Sequence, residues 1–267
     1  MEKIVTASAP YGYLVALMRR YEAYRNTEIP GDISPFDDMF DPGNAEHYYS
    51  VGRSAINVIA ETMFLARKQA FDSILDLPCG GGRVTRHLVS FFPDADIFVS
   101  DIDSNKEKFV LDTLPVIRAA VSPDFTNSSE QKFDLIFVGS LVTHFGEEHL
   151  RRALLWLAEA LNDDGVLIVT SHGRTSADLS REIYLSADWR LVYDSYLKTG
   201  FGFRMFPEQK GLPIAYGGNL ASPSWLMKVA ESIPQVRILN FREGAWDQHH
   251  DALVIQKRSI GSRAPLE

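Results

Sequence analysis

The chain has 267 residues, enough for one generous α/β domain or for a domain with an elaborated cap. Hydrophobic residues supply 45% of it, so a sizeable core is available, and a net charge of −8 lacks the basic footprint that nucleic-acid binding needs. A single cysteine excludes an internal disulfide and a thiolate-rich metal site.

The first residues, MEKIVTASAPYGYLV, lack the basic stretch and continuous apolar run of a signal peptide. No run of about 18 apolar residues suggests a membrane span. The expectation is a cytoplasmic protein with neither a membrane nor a nucleic-acid partner. Residues 11–26 place Leu14, Leu17, Met18 and Tyr21 at helical spacing. The loop IPGDISPFDDMFDPGN follows, then a second helix from about Ala45 to Ala70.

Beyond residue 70 the pattern changes. ILDL (74–77) reads as a short buried strand, and RVTRHLVSFF as a helix with Val84, Leu88 and Phe91 on one face. DIFVSDID (96–103), VIRAAV (116–121) and FDLIFVGS (133–140) read as strands two to four. EEHLRRALLWLAEALNDDG is a helix with acids in its first turn and a glycine stop, and GVLIVTSH (165–172) is strand five. Strands alternating with helices predict a parallel, doubly wound sheet.

Residues 173–220 break that rhythm with aromatics that include Trp189, Tyr193, Tyr196, Phe201, Phe203 and Tyr216. A disordered linker is poor in aromatics, so this stretch reads as an inserted cap. SPSWLMKVAESI is a helix capped by Ser222 with Pro223 at its first position. RILNFR (237–242) and DALVIQKR (251–258) are closing strands joined by EGAWDQHH. The expected divisions are an N-terminal helical cap (1–70), a core (71–172), the cap insertion (173–220) and the final helix and strands (221–258).

The turn DLPCGGG carries the chemistry. Glycines between a strand and a helix let backbone approach a ligand, and the helix N-terminus adds partial positive charge. The dinucleotide pattern G-x-G-x-x-G fits poorly, because its third position falls on Thr85. D-x-G-x-G-x-G fits better, with Asp76 at the strand end, Gly80 and Gly82 in register, and Pro78 in place of the first glycine. Asp101, at the end of the next strand, suits both hydroxyls of a ribose.

ILDLPCGGGRV, IFVSDID, FDLIFVGSLVTHF and LNDDGVLIVTSHGR together resemble, over roughly residues 45–175, the class I S-adenosylmethionine (SAM)-dependent methyltransferases. The resemblance implies a Rossmann-like seven-stranded sheet with N-terminal helices and the aromatic cap inserted after strand five. It implies SAM as cofactor and S-adenosylhomocysteine (SAH) as product. Asp76, Leu77, Pro78, Gly80 and Gly82 would hold the methionine end, Asp101 with Ile102 the ribose, and Gly139 and Ser140 would flank the cofactor after strand four. Pro78 and Cys79 shape the turn, since methyl transfer from a sulfonium needs no thiol nucleophile. LPCGGGRV, VGSLVTH, SHGR and the tail SPSWLMKVAESIP…FREGAWDQHHDALVIQK also resemble a bacterial subgroup often associated with glycosyltransferases. That subgroup has His-Gln-Asp where this chain has His249-His250-Asp251.

In the implied topology His144, His172 and the loop bearing His249 and His250 leave the sheet at one edge. Each has a plain alternative: a helix cap for His144, a turn for His172, a strand start for His249 and His250. Asp251 either orients a histidine or sits in the strand ladder. The expected activity is O-methylation of a small molecule or glycan. His249, oriented by Asp251, leads His144 and His172 as general base. No spacing indicates a metal site. The alternatives are a non-catalytic SAM-binding partner subunit and an NAD(P)-dependent oxidoreductase.

Overall fold

The computed structural model describes residues 11–208 and 214–258. Residues 1–10 of the expected N-terminal cap and 209–213 of the expected insertion lie outside the described residues. Two helices come first, α1 (Gly12–Arg25) and α2 (Ala45–Ala66). α2 stops short of Ala70 because Arg67 turns left-handed, with φ 54°, and closes it.

The alternating core follows: β1 (Ser73–Leu77), α3 (Thr85–Phe91), β2 (Asp96–Val99), α4 (Ser104–Thr113), β3 (Ile117–Arg118), β4 (Phe133–Val138), α5 (Glu147–Glu159) and β5 (Leu161–Ser171). The chain continues through α6 (Arg174–Leu179), α7 (Arg181–Leu185), α8 (Arg190–Thr199), β6 (Phe201–Met205), β7 (Gly217–Ala221), α9 (Pro223–Glu231), β8 (Val236–Trp246) and β9 (His250–Lys257). β2 and β3 are shorter than their sequence segments. After Val99 the backbone leaves the sheet, and Asp103 caps α4 by accepting from the N–H groups of Asn105 and Lys106.

Seven strands make one sheet in the order β3-β2-β1-β4-β5-β9-β8. β1 through β5 pair in parallel; β9 runs antiparallel to both β5 and β8. This is the mixed, mostly parallel Rossmann-like sheet expected from the sequence. β1, β4 and β5 are buried on both faces, which is why they read as near-continuous apolar runs. On one face Leu150, Leu154 and Leu157 of α5 pack with Leu226 and Val229 of α9. On the other, Val51, Ile56, Ile59 and Met63 of α2 pack with Leu88 and Phe91 of α3.

The segment between β5 and α9 holds three short helices and the two-stranded β6–β7 hairpin. Tyr184, Val192, Tyr196 and Leu220 form its own small core, edged by Trp189 and Tyr193. The hairpin is tied to the loop after β4. Asn219 is buried and donates from Nδ2 to the carbonyls of Val142 (2.6 Å) and Phe145 (2.7 Å), and Phe145 bridges Tyr216. Among the described residues no helix is long and apolar enough to cross a membrane.

Asn219→Leu strips both carbonyls of their buried donor. It should lower unfolding free energy by about 1–3 kcal/mol in urea titration. An unchanged midpoint would show that the hairpin is anchored elsewhere.

Candidate active site

The glycine turn sits where β1 runs out. The Leu77–Pro78 peptide is cis, and Gly80 and Gly82 adopt φ +54° and +85°, values an L side chain rarely takes. A Cβ on Gly80 would face open space, whereas one on Gly81 would lie 2.3 Å from the Asp37 carboxylate. The first leaves a cradle of bare backbone; the second shows the 26–44 segment lying directly on the turn. Cys79 is buried with Val99, Val110 and Leu114, and burial pushes its thiol pKa up, so it packs the turn and does not ionise.

Two acids flank the cradle. Asp76 is 1% exposed and accepts a 2.6 Å hydrogen bond from the Thr85 hydroxyl. Burial pushes its pKa up to about 7, the Thr85 bond opposes this, and the nearby Asp101 charge adds to it. Asp101 accepts from the Gly80 N–H at 2.8 Å on one oxygen and from the Asp103 N–H at 2.8 Å on the other. Each oxygen keeps a second lone pair, which suits two adjacent ribose hydroxyls. Ile102 beside it is 53% exposed, an apolar surface fit for a base. Across the cradle, Ser140 holds φ 59° and donates its N–H to Thr170 Oγ1 at 2.8 Å, while the Gly139 N–H bonds Leu77 at 3.2 Å. Bare backbone, a buried acid and a ribose-type carboxylate fit the nucleoside cofactor that the sequence resemblance implies.

Two arginines escaped the sequence reading. Arg86 is almost fully buried and donates to the carbonyls of Gly82 (3.0 Å) and Gly81 (3.2 Å), and also to that of Pro30. Arg83 lies over the rings of Tyr48 and Trp246, 5.9 Å from each centroid. A helix N-terminus disfavours cations. Two arginines at the start of α3 were therefore the available signal that they serve the turn. Tyr48 is also buried there, donating to Asp37 at 2.6 Å, whereas Arg53 points outward and pairs with Glu46.

The four histidines do converge. His144 follows β4 in a short 3-10 turn, and its Nδ1 lies 2.8 Å from the Gly217 carbonyl of the hairpin. Its ring stacks on Tyr216 at 4.5 Å. His172 leaves β5 and meets His249 and His250 at ring distances of 5.0 and 4.5 Å. A positive charge on His144 would disfavour one on His172 or His250. Burial lowers the pKa of His172 to about 3 and pushes those of His250 and His249 down as well.

One expectation at the tail needs correction. Asp251 does not pair with His249: its Oδ1 accepts from the Gly244 N–H at 2.9 Å, and its Oδ2 is buried without a partner among the described residues. His249 lies in the turn before β9, and His250 is the first residue of the strand. Asp247 and Gln248 both have positive φ, 54° and 53°, and make a tight turn closed by the His249 N–H on Trp246. β9 begins at His250, one residue before the expected strand, and both imidazoles reach His172. Trp246 is core: it packs on Phe137 at 5.7 Å and donates its indole N–H to Val51 at 3.0 Å.

The family whose description is methyltransferase domain matches residues 49–206. A malonyl-[acyl-carrier protein] O-methyltransferase of Acetivibrio thermocellus is 26% identical over 162 residues. That match covers 60% of this chain and 56% of the relative, so the chain spans little more than half the relative's length. A SAM-dependent methyltransferase from Clostridium acetobutylicum shares the fold with a TM-score of 0.54 at 15% identity, over 78% of this chain and 92% of that one. So does the amino pentose methyltransferase CalS10 from Micromonospora echinaspora, with a TM-score of 0.54 at 14% identity, over 82% of this chain and 97% of that one.

Asp76 gives a pH signature. Its folded pKa, about 7, lies above its ordinary value of 3.8, so the native state binds a proton more tightly than the unfolded chain. That contribution to stability is present at low pH and is lost as pH rises from about 4 to 7. Asp76→Asn keeps an acceptor for Thr85 and removes the titration. Its unfolding free energy, minus that of the wild type, should rise across this window in urea titrations at stepped pH. A difference independent of pH would show that Asp76 is ionised throughout.

Proposed function

The chain belongs to the class I SAM-dependent methyltransferases, and on that premise we propose that it transfers the methyl group of SAM to a hydroxyl of a small-molecule or glycan acceptor. One observation carries the reading. The glycine cradle with Asp101 and the four-histidine cluster open at the same C-terminal edge of one sheet, the cofactor and acceptor halves of a transfer site. Oxygen as the accepting atom is in keeping with the relative named an O-methyltransferase.

In this reading SAM supplies an activated methyl on a sulfonium, and the chain supplies placement and a proton acceptor. Asp101 takes the ribose hydroxyls, and Asp76 and the backbone from Leu77 to Gly82 face the methionine end. Gly139 and Ser140 line the far wall. The acceptor lies between the histidines and the β6–β7 hairpin, which makes residues 173–220 the acceptor lid. In-line approach of its oxygen to the methyl carbon, at about 3 Å, supplies most of the acceleration.

His144 is the general base of this proposal, ahead of His249 and His172. The Asp251 contact that would have favoured His249 is made elsewhere. His172 is a poor proton acceptor with its pKa near 3. The Gly217 carbonyl draws the proton of His144 to Nδ1, leaving Nε2 as the basic nitrogen, and the lid itself holds the imidazole there. With SAM bound, His144 would accept the proton of the acceptor hydroxyl as its oxygen takes the methyl group from the sulfonium.

Two substitutions separate the halves. Asp101→Ala should weaken SAM and SAH in calorimetric titration by about 1.5–3 kcal/mol, roughly 10- to 150-fold. Unchanged affinity in a folded variant rules out the ribose assignment. His144→Ala should lower kcat by about 10²–10⁴ in a mass-read acceptor screen, with SAM affinity near wild type. Retention of more than about a third of the wild-type kcat would move the base to another residue. SAM binding with no methyl transfer to any acceptor would instead favour a non-catalytic SAM-binding subunit.

A further inference from the structure

Three of the clustered histidines have a property that proton transfer does not use. One nitrogen from each of His172, His249 and His250 can be chosen so that the three lie within 4.8 Å of one another. They come from two separate places, the end of β5 and the β8–β9 turn, so local sequence does not force the encounter. The scaffold is rigid: β5 and β9 are paired through to Ser171↔Asp251, next to His172 and His250. The turn is fixed from outside by Ser176, whose hydroxyl donates to the His249 carbonyl at 2.8 Å.

Their chemistry fits a metal better than a relay. No carboxylate belongs to the group of three, so nothing within it would stabilise an imidazolium. His250 is 8% exposed, and its Nδ1 is buried with no partner among the described residues; a buried polar atom of this kind needs an explanation. Around a tetrahedral ion with metal–nitrogen distances of about 2.0–2.1 Å, ligand nitrogens sit roughly 3.3 Å apart.

We propose that His172, His249 and His250 form a three-imidazole site for a divalent transition-metal ion of the zinc class, with its open coordination position turned to the acceptor. Imidazole sets favour zinc, iron, nickel and copper over magnesium or calcium, which take oxygen ligands. Three protein ligands leave a fourth position for an exchangeable oxygen, the arrangement of a working site and not of a structural one. The role of that position rests on the transferase reading above. There the ion binds the acceptor hydroxyl and makes its proton easier to lose. The proton passes to His144, the oxygen's electron pair forms the bond to the methyl carbon, and the carbon–sulfur pair returns to sulfur as SAH. The binding site itself stands independently of this chemistry.

The test uses tag-free, chelator-treated full-length protein with Co²⁺ or Zn²⁺ alone, in the absence of SAM and acceptor. Equilibrium dialysis with metal analysis should give one saturable equivalent per chain, and Co²⁺ should develop a visible absorption band. His249→Ala, at a half-buried position, should bind at least tenfold more weakly, and His172→Gln likewise. His144→Gln should bind as the wild type does, which sets the site apart from the base. Circular dichroism checks that each variant is folded. Sub-stoichiometric binding by the wild type, or unchanged affinity in His249→Ala and His172→Gln, overturns the proposal. Stoichiometric binding that depends on His249, in a protein that transfers no methyl group, would uphold the site and remove only the acceptor role.

Discussion

The antiparallel seating of β9 between β5 and β8 is the constraint on which the histidine-bearing edge depends. A parallel strand in that position would place its first residue at the opposite end of the sheet. Reversal brings the start of β9 beside the end of β5, so Ser171 pairs with Asp251 and His172 faces His249 and His250. Hydrogen bonds along six register pairs, from Val166↔Gln256 to Ser171↔Asp251, hold this relation. β9 is apolar on both faces, with Leu253 and Ile255 in one core and Ala252 and Val254 in the other.

The cofactor side is held by different forces. Its turn is bare backbone in left-handed conformations, and such backbone needs support from outside. Arg86 gives it, spending its guanidinium on the carbonyls of Gly81, Gly82 and Pro30. The 26–44 segment closes over the turn through Asp37, which also accepts from Tyr48. Lys106 reaches back from α4 to Asp38. Segment 26–44 and α2 thus support the glycine turn mechanically, even though their residues carry none of its motif.

The proposed acceptor side is coupled to the inserted segment. Asn219 secures the hairpin to the loop after β4, and Gly217 of the same hairpin holds His144. Movement of the hairpin would therefore move the proposed base with it. The small aromatic core of Tyr184, Val192, Tyr196 and Leu220 gives the insertion its own rigidity. Trp246 sits between the halves, touching Phe137, His250 and the backbone of α2.

The sequence by itself determined the alternation of strands and helices, the glycine turn, Asp76 and Asp101, because each is a local pattern. Buried parallel strands must be apolar along their length, and a strand–turn–helix that bares its backbone must use glycine. It also placed His144, His172, His249 and His250 at one edge once the strand order was granted. What it left to the tertiary structure was which of these groups touch. Asp251 accepts from Gly244 across a tight turn with left-handed residues at 247 and 248, and a turn type depends on backbone angles that residue names do not state. His172 met His249 and His250 because two strands far apart in the chain pair antiparallel. No spacing within either segment encodes that encounter, since side-chain proximity across a sheet is a property of register.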